Sequence, residues 1–134
     1  MTRTSSLNTP SAAASGRTIT YQNPVWPHYF ADPFALRVGR TYWAYGTAPA
    51  GADGMEFPVL RSEDLATWKH VGHALRPRAE ARGHNFWAPE VAEKDGRFYL
   101  FYSSSPKDND EHHRIRVATG IFLEVDADRA AQRI

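Results

Sequence analysis

Cysteine is absent from the 134 residues, which excludes a disulfide framework and any thiolate-ligated metal. No apolar run approaches the ~20 residues that cross a bilayer as a helix, so no membrane partner is expected. An excess of one charge is missing too. The net charge is +1, with 16 basic and 15 acidic side chains scattered along the chain, and that balance implies neither nucleic acid nor an acidic membrane surface. Residues 1–20 are rich in Ser, Thr and Ala and hold no hydrophobic core of the kind a secretory signal needs. The expectation is a cytoplasmic protein, or a secreted one if the start is misassigned. What the chain does have is aromatic residues, at 13%, a content that suits both β-sheet and stacking on sugars.

The aromatics fall into a repeat. Phe30-Ala31-Asp32-Pro33-Phe34 and Phe86-Trp87-Ala88-Pro89-Glu90-Val91 each set one carboxylate beside a proline at the mouth of a strand. A Gly-Arg turn and an aromatic run follow each of them. Gly39, Arg40, Tyr42 and Tyr45 return as Gly96, Arg97, Tyr99 and Tyr102, at a spacing of 57 residues. Leu60-Arg61-Ser62 falls on Val117-Ala118-Thr119 at the same spacing. Upstream the register slips by one residue, at Asp32 and Glu90. A repeat of this length, made of short strands, predicts an all-β fold of propeller blades, about two of them. Propellers close with roughly four to eight blades. The chain therefore reads as a partial propeller, the front of something larger or a unit that self-associates through exposed blade edges.

Along the chain, residues 1–18 are small and polar and read as a disordered tail. The blade region spans 19–120. It opens on a short strand at 19–21 and an extended lead-in broken by Asn23-Pro24 and Trp26-Pro27. Strands are expected at 34–38, 41–45, 57–61 and 68–71 in the first unit, and at 91–94, 97–103 and 113–119 in the second. Gly39-Arg40 and Asp95-Gly96 supply hairpin turns. Ser62 caps a predicted helical turn through Leu65. Residues 76–85 form a basic loop, and 121–134 an irregular or short helical tail.

If the units are blades, their first strands line a central axis, and Asp32 and Glu90 converge at one end of it. Two carboxylates facing one pocket are the minimum for glycoside hydrolysis. In an inverting enzyme one activates water and the other, protonated, serves the leaving oxygen, with about 6.5–9.5 Å between them. Close carboxylates also push each other's pKa apart, which divides the roles. An Asp beside Pro can equally cap a turn, so a structural role stays open for both. Trp87 is a candidate platform for a sugar ring, with packing between blades as the alternative. Phe30 and Phe57 are weaker candidates for substrate contact, with packing favoured. His28 is near enough to Asp32 in sequence to line a pocket, though an exposed loop position is favoured. His112 and His113 are adjacent, and neighbours on a strand point to opposite faces, so they form no chelate and no metal is expected.

The stretch from Tyr29 through Asp32-Pro33 to Thr47 resembles the opening of glycoside hydrolase family 43. So do Phe57-Pro-Val-Leu-Arg-Ser-Glu-Asp-Leu-Ala-Thr-Trp68 and Phe86-Trp-Ala-Pro-Glu-Val91 with the aromatic run to Ser103. The resemblance covers about 23–119. It implies a five-bladed propeller and an inverting arabinofuranosidase, arabinanase or β-xylosidase acting on pentose-containing oligosaccharide or polysaccharide. It also implies that Asp32 is the general base. Glu90 would stand where the family's Trp-Ala-Pro-Asp motif sets an acid that tunes the general acid, with Glu here in place of the commoner Asp. The resemblance sets the general acid itself on a third blade, and the ligand of a central cation also beyond this chain. No cofactor is therefore expected, and the chain alone should have negligible glycosidase activity. The alternative is a non-catalytic carbohydrate-binding propeller piece, its aromatics stacking on glycans.

Overall fold

The computed structural model describes residues 18–77, 84–106 and 109–120. All but the last residue of the tail expected over 1–18, the tail expected over 121–134 and most of the basic loop lie outside these residues. Seven strands are present: β1 (Ala31–Val38), β2 (Thr41–Thr47), β3 (Glu56–Ser62), β4 (Lys69–Leu75), β5 (His84–Lys94), β6 (Arg97–Ser105) and β7 (Arg114–Gly120). Among the described residues the only helix is one 3₁₀ turn, Asp110–His112, so none is long and apolar enough to cross a membrane. The strands form two antiparallel meanders, β1-β2-β3-β4 and β5-β6-β7. The repeat is thus structural: β1, β2 and β3 return as β5, β6 and β7.

The turn chemistry behaves as the sequence suggests. Asp95 and Gly96 have φ of 52° and 77°, the paired left-handed conformation of a type I′ hairpin. Ser62 organises a bend, with no helical turn. Its Oγ accepts the N–H groups of Asp64 and Leu65, and Asp64 Oδ1 accepts those of Ala66 and Thr67. Side chains that capture nearby N–H groups compete with helix formation. The N–H groups of Thr67 and Ala66 hold the Asp64 carboxyl below its usual pKa. Residues 19–21 form no strand, and β4 runs past Gly72, which takes φ 143° opposite an irregularity in β3.

The sheets face one another across an apolar core of Trp43, Tyr45, Phe57, Val59, Leu75, Phe86, Val91, Phe98 and Leu100. Cross-strand partners share a face. Tyr45 with Val59, and Val91 with Leu100, therefore turn inward together. Phe57 meets Phe86 and Tyr102 edge-on, with centroids 6.3 and 5.5 Å apart. The opposite face of the first sheet, carrying Ala44 and Leu60, is also buried, and the lead-in covers it. Trp26 stacks on His70 of β4 at 6.5 Å. The Phe30 ring lies over Gly46, where an added Cβ would sit 2.7 Å from it. The second sheet is different: Phe101, Ile115 and Val117 are exposed on its outer face. Ser104, the repeat counterpart of Thr47, is fully buried, and its hydroxyl has no partner among the described residues.

Gly46→Ala is expected to lower stability by about 1–3 kcal/mol, because the methyl overpacks against Phe30. Urea unfolding checks this, and a Phe30→Leu background should recover part of the loss.

Candidate active site between the two blades

The site is built where β1 and β5, the first strands of the two sheets, lie against each other. Both begin irregularly. β1 shifts register between Ala31 and Phe34, and β5 does so twice, before and after Trp87. Asp32 and Ala88 adopt φ of 46° and 50° at these shifts. Phe57 and Asn85 are left-handed as well, at 61° and 53°. A non-glycine residue in this region is held there by its surroundings, and such residues gather at functional sites. Four of the six among the described residues lie in the segments that meet at the interface, while Leu65 and Asp95 belong to turns.

One side chain fastens the starts of the two strands together. Thr47, at the end of β2, donates its hydroxyl to Asp32 Oδ2 at 3.1 Å and accepts the Ala88 N–H at 2.9 Å. The carboxylate of the first blade and the backbone of the second are joined through one oxygen. Asp32 Oδ1 has no hydrogen-bond partner among the described residues, and the residue is exposed.

Beside this joint lies a cleft of about 440 Å³, lined by Tyr29, Thr47, residues 48–50, Glu56 and residues 84–87. Trp87 is 37% exposed and stacks on His113, with ring centroids 4.2 Å apart. Ser103 Oγ lies 3.2 Å from His113 Nδ1, and Asp110 approaches Nε2 at 3.8 Å. Asp110 also accepts the Asn85 side-chain N–H at 3.0 Å. The 3₁₀ turn and the residue that follows it therefore orient both the amide and the indole of the cleft. Glu56 is partly buried, and desolvation raises its carboxyl pKa.

The expected site residues separate. Asp32 and Trp87 reach this region. Glu90 is exposed and is not among the residues that line the cleft. It stands opposite Phe101, which stands opposite Val117, so it shares the outer face of the second sheet, while its neighbour Val91 enters the core. Pro89, which stands 57 residues after Asp32, is the buried one, and a shift of one residue on a strand exchanges faces. Phe57 is 1% exposed within the core, which leaves no surface for a sugar. Phe30 covers Gly46 on the far side of the first sheet. His28 packs edge-on against Trp26 at 5.0 Å on that same side, because the lead-in wraps the sheet there. His113 braces Trp87, and no group of three or more metal-binding side chains occurs among the described residues. Thr47 and Glu56 were not singled out from sequence. Thr47 does end the aromatic run, which is the one signal that pointed to it.

The sequence pattern of glycosyl hydrolases family 43 matches residues 21–126. The chain belongs to this family. It is 30% identical over 93 residues to a xylan 1,3-β-xylosidase of a Vibrio species, covering 65% of this chain and 17% of that protein. It is 33% identical over 88 residues to a non-reducing end α-L-arabinofuranosidase of Bacteroides ovatus, covering 60% and 16%. Among solved structures, a thermostable family-43 glycoside hydrolase superposes with a TM-score of 0.60 at 34% identity, over 75% of this chain and 32% of that one. The chain thus spans about a sixth of the first two relatives and about a third of the third. In the five-bladed propeller of family 43, the present sheets make up part of the ring.

Two outcomes follow for this family-43 chain. Thr47→Val keeps the shape but strands the Ala88 N–H, so a loss of about 1–3 kcal/mol is expected on urea unfolding, with Thr47→Ser restoring it. The raised carboxyl of Glu56 favours the neutral form in the folded state. Its contribution is full below the unfolded pKa and is lost as pH rises through the folded one. Glu56→Gln should therefore raise the melting temperature at pH 8 and leave it unchanged at pH 4.

Proposed function

We propose that this chain supplies the water-activating half of a glycoside hydrolase site for arabinose- or xylose-containing glycans, with Asp32 as general base in an inverting reaction. One observation carries the reading. Thr47 holds one oxygen of Asp32 on a left-handed bend, and the other oxygen is left without a partner among the described residues. A carboxylate so placed can take a proton from water as that water attacks the anomeric carbon. Trp87, backed by His113, offers an indole to the sugar ring. The names of the xylosidase and arabinofuranosidase relatives support a pentose substrate.

The leaving oxygen needs a second acid. In keeping with the family resemblance, this role is assigned to a group outside the described residues. The assignment separates two kinds of substrate. A 2,4-dinitrophenyl arabinofuranoside or xyloside departs without protonation, and methyl glycosides do not. The negligible activity expected of the 134-residue chain thus applies to substrates that need a proton donor, and only the activated substrate is expected to be hydrolysed, slowly and with inversion, read by NMR of the first-formed anomer. Asp32→Asn should lower this rate by about 10²-fold or more. Turnover of methyl glycosides should be negligible. Activated hydrolysis indifferent to Asp32→Asn would remove the general base. Oligosaccharide binding without any cleavage, unchanged by that substitution, would favour the non-catalytic glycan-binding reading.

A further inference from the structure

We infer that the cleft between the blades is an off-axis sugar subsite whose selectivity is set by Glu56, accepting a neutral pentose and turning away one that bears a carboxylate. The inference rests on the glycan reading above and adds a ligand class and a determining residue to it. The cleft extends from the Asp32–Thr47 joint to the start of β3. Neighbouring strands lie about 4.8 Å apart, so Glu56 on β3 stands roughly two strand spacings, about 10 Å, from β1. That is far enough to meet the sugar residue beside the one at Asp32.

The lining is chemically that of a sugar site. Trp87 and the 68%-exposed Tyr29 present aromatic surface, which covers the apolar face of a sugar ring. Asn85 donates its N–H to Asp110, which leaves its carbonyl oxygen to accept from a hydroxyl. Both Asn85 and Phe57, the residue after Glu56, are held left-handed, so the walls are fixed in advance of any ligand. Among the described residues the lining contains no Lys or Arg, Glu56 is its one carboxylate, and His84 stands at the start of β5 as its one imidazole. Arg76, next to Glu56's cross-strand partner Leu75, is engaged by Asp53 at 3.7 Å. A sugar carboxylate entering beside Glu56 would meet a like charge in a partly desolvated place, with no arginine or lysine among the described lining residues to offset it. Burial already disfavours the charged form of Glu56 itself, and a second negative charge would add to that cost.

The test is calorimetric titration of the 134-residue chain at pH 7.5 with xylotriose and with a uronic-acid-substituted xylotriose. The neutral ligand should bind at least about 10-fold more tightly. Glu56→Gln should bring the two within about 2-fold, chiefly by strengthening the acidic ligand. Tyr29→Ala, on the exposed rim, should weaken both by about 5-fold. Equal binding of the two ligands by the unmodified chain, or a preference that survives Glu56→Gln, would overturn the role of Glu56 while leaving the glycan reading in place. Binding of neither ligand, together with no Asp32-dependent hydrolysis of the activated glycoside, would remove both.

Discussion

A single hydroxyl carries the constraint on which the site depends. Thr47 Oγ1 is donor to a carboxylate on one sheet and acceptor for a backbone N–H on the other. Hydrogen bonds of this kind contribute about 0.5–1.5 kcal/mol each, more where one partner is charged, and cost more to leave unmade. Their value here is mainly geometric. The apolar core fixes how the sheets lie face to face, but side chains such as Leu100 and Tyr45 exert no directional preference. The Thr47 bonds are directional and act at one end of the interface. They set Asp32 relative to the strand that carries Trp87, so the proposed base and the sugar platform share one reference point.

Much of the scaffold was legible in the sequence because hairpin chemistry is local. Asp95-Gly96 demands a type I′ turn, and the aromatic runs beginning at Thr41 and Arg97 demand strands. The 57-residue spacing exposed the blade repeat for the same reason. Asp32 stands out in the sequence through its place beside Pro33, and its role as base is the proposal made above. What escaped was contact between distant segments. Thr47 is one hydroxyl at a strand end, and nothing local says that residue 88 will reach it. Glu56 precedes a strand like any charged residue at a sheet edge, and only the assembled fold desolvates it. Glu90 misled for a definite reason. The slip of one position between the copies looked minor along the chain, yet on a strand it moves a side chain from one face to the other. Phe30, Phe57 and His28 were aromatic or basic residues near the right motif, and only the course of the lead-in and the depth of the core decide where they go.

Backbone strain and site geometry coincide in this molecule. The left-handed residues at 32, 57, 85 and 88 each carry a conformational penalty of about 1–3 kcal/mol. Those at 32, 85 and 88 interrupt regular pairing where β1 and β5 begin, and these interruptions open the space that regular strands would close. A cleft between sheets otherwise packed at close to 10 Å thus exists because the strands begin badly. The braces on Trp87 from His113 and on Asn85 from Asp110 then hold the walls of that space in position.

Ser104 gives the joint a wider meaning. It occupies in the second sheet the place that Thr47 occupies in the first, fully enclosed and with no described partner for its oxygen. In the first sheet that place is where the next sheet is latched. One position on the ladder thus has two fates, a latch between sheets in the first copy and a sealed hydroxyl in the second. The copies share a backbone plan, and the joint is a property of the pair of sheets and not of the unit.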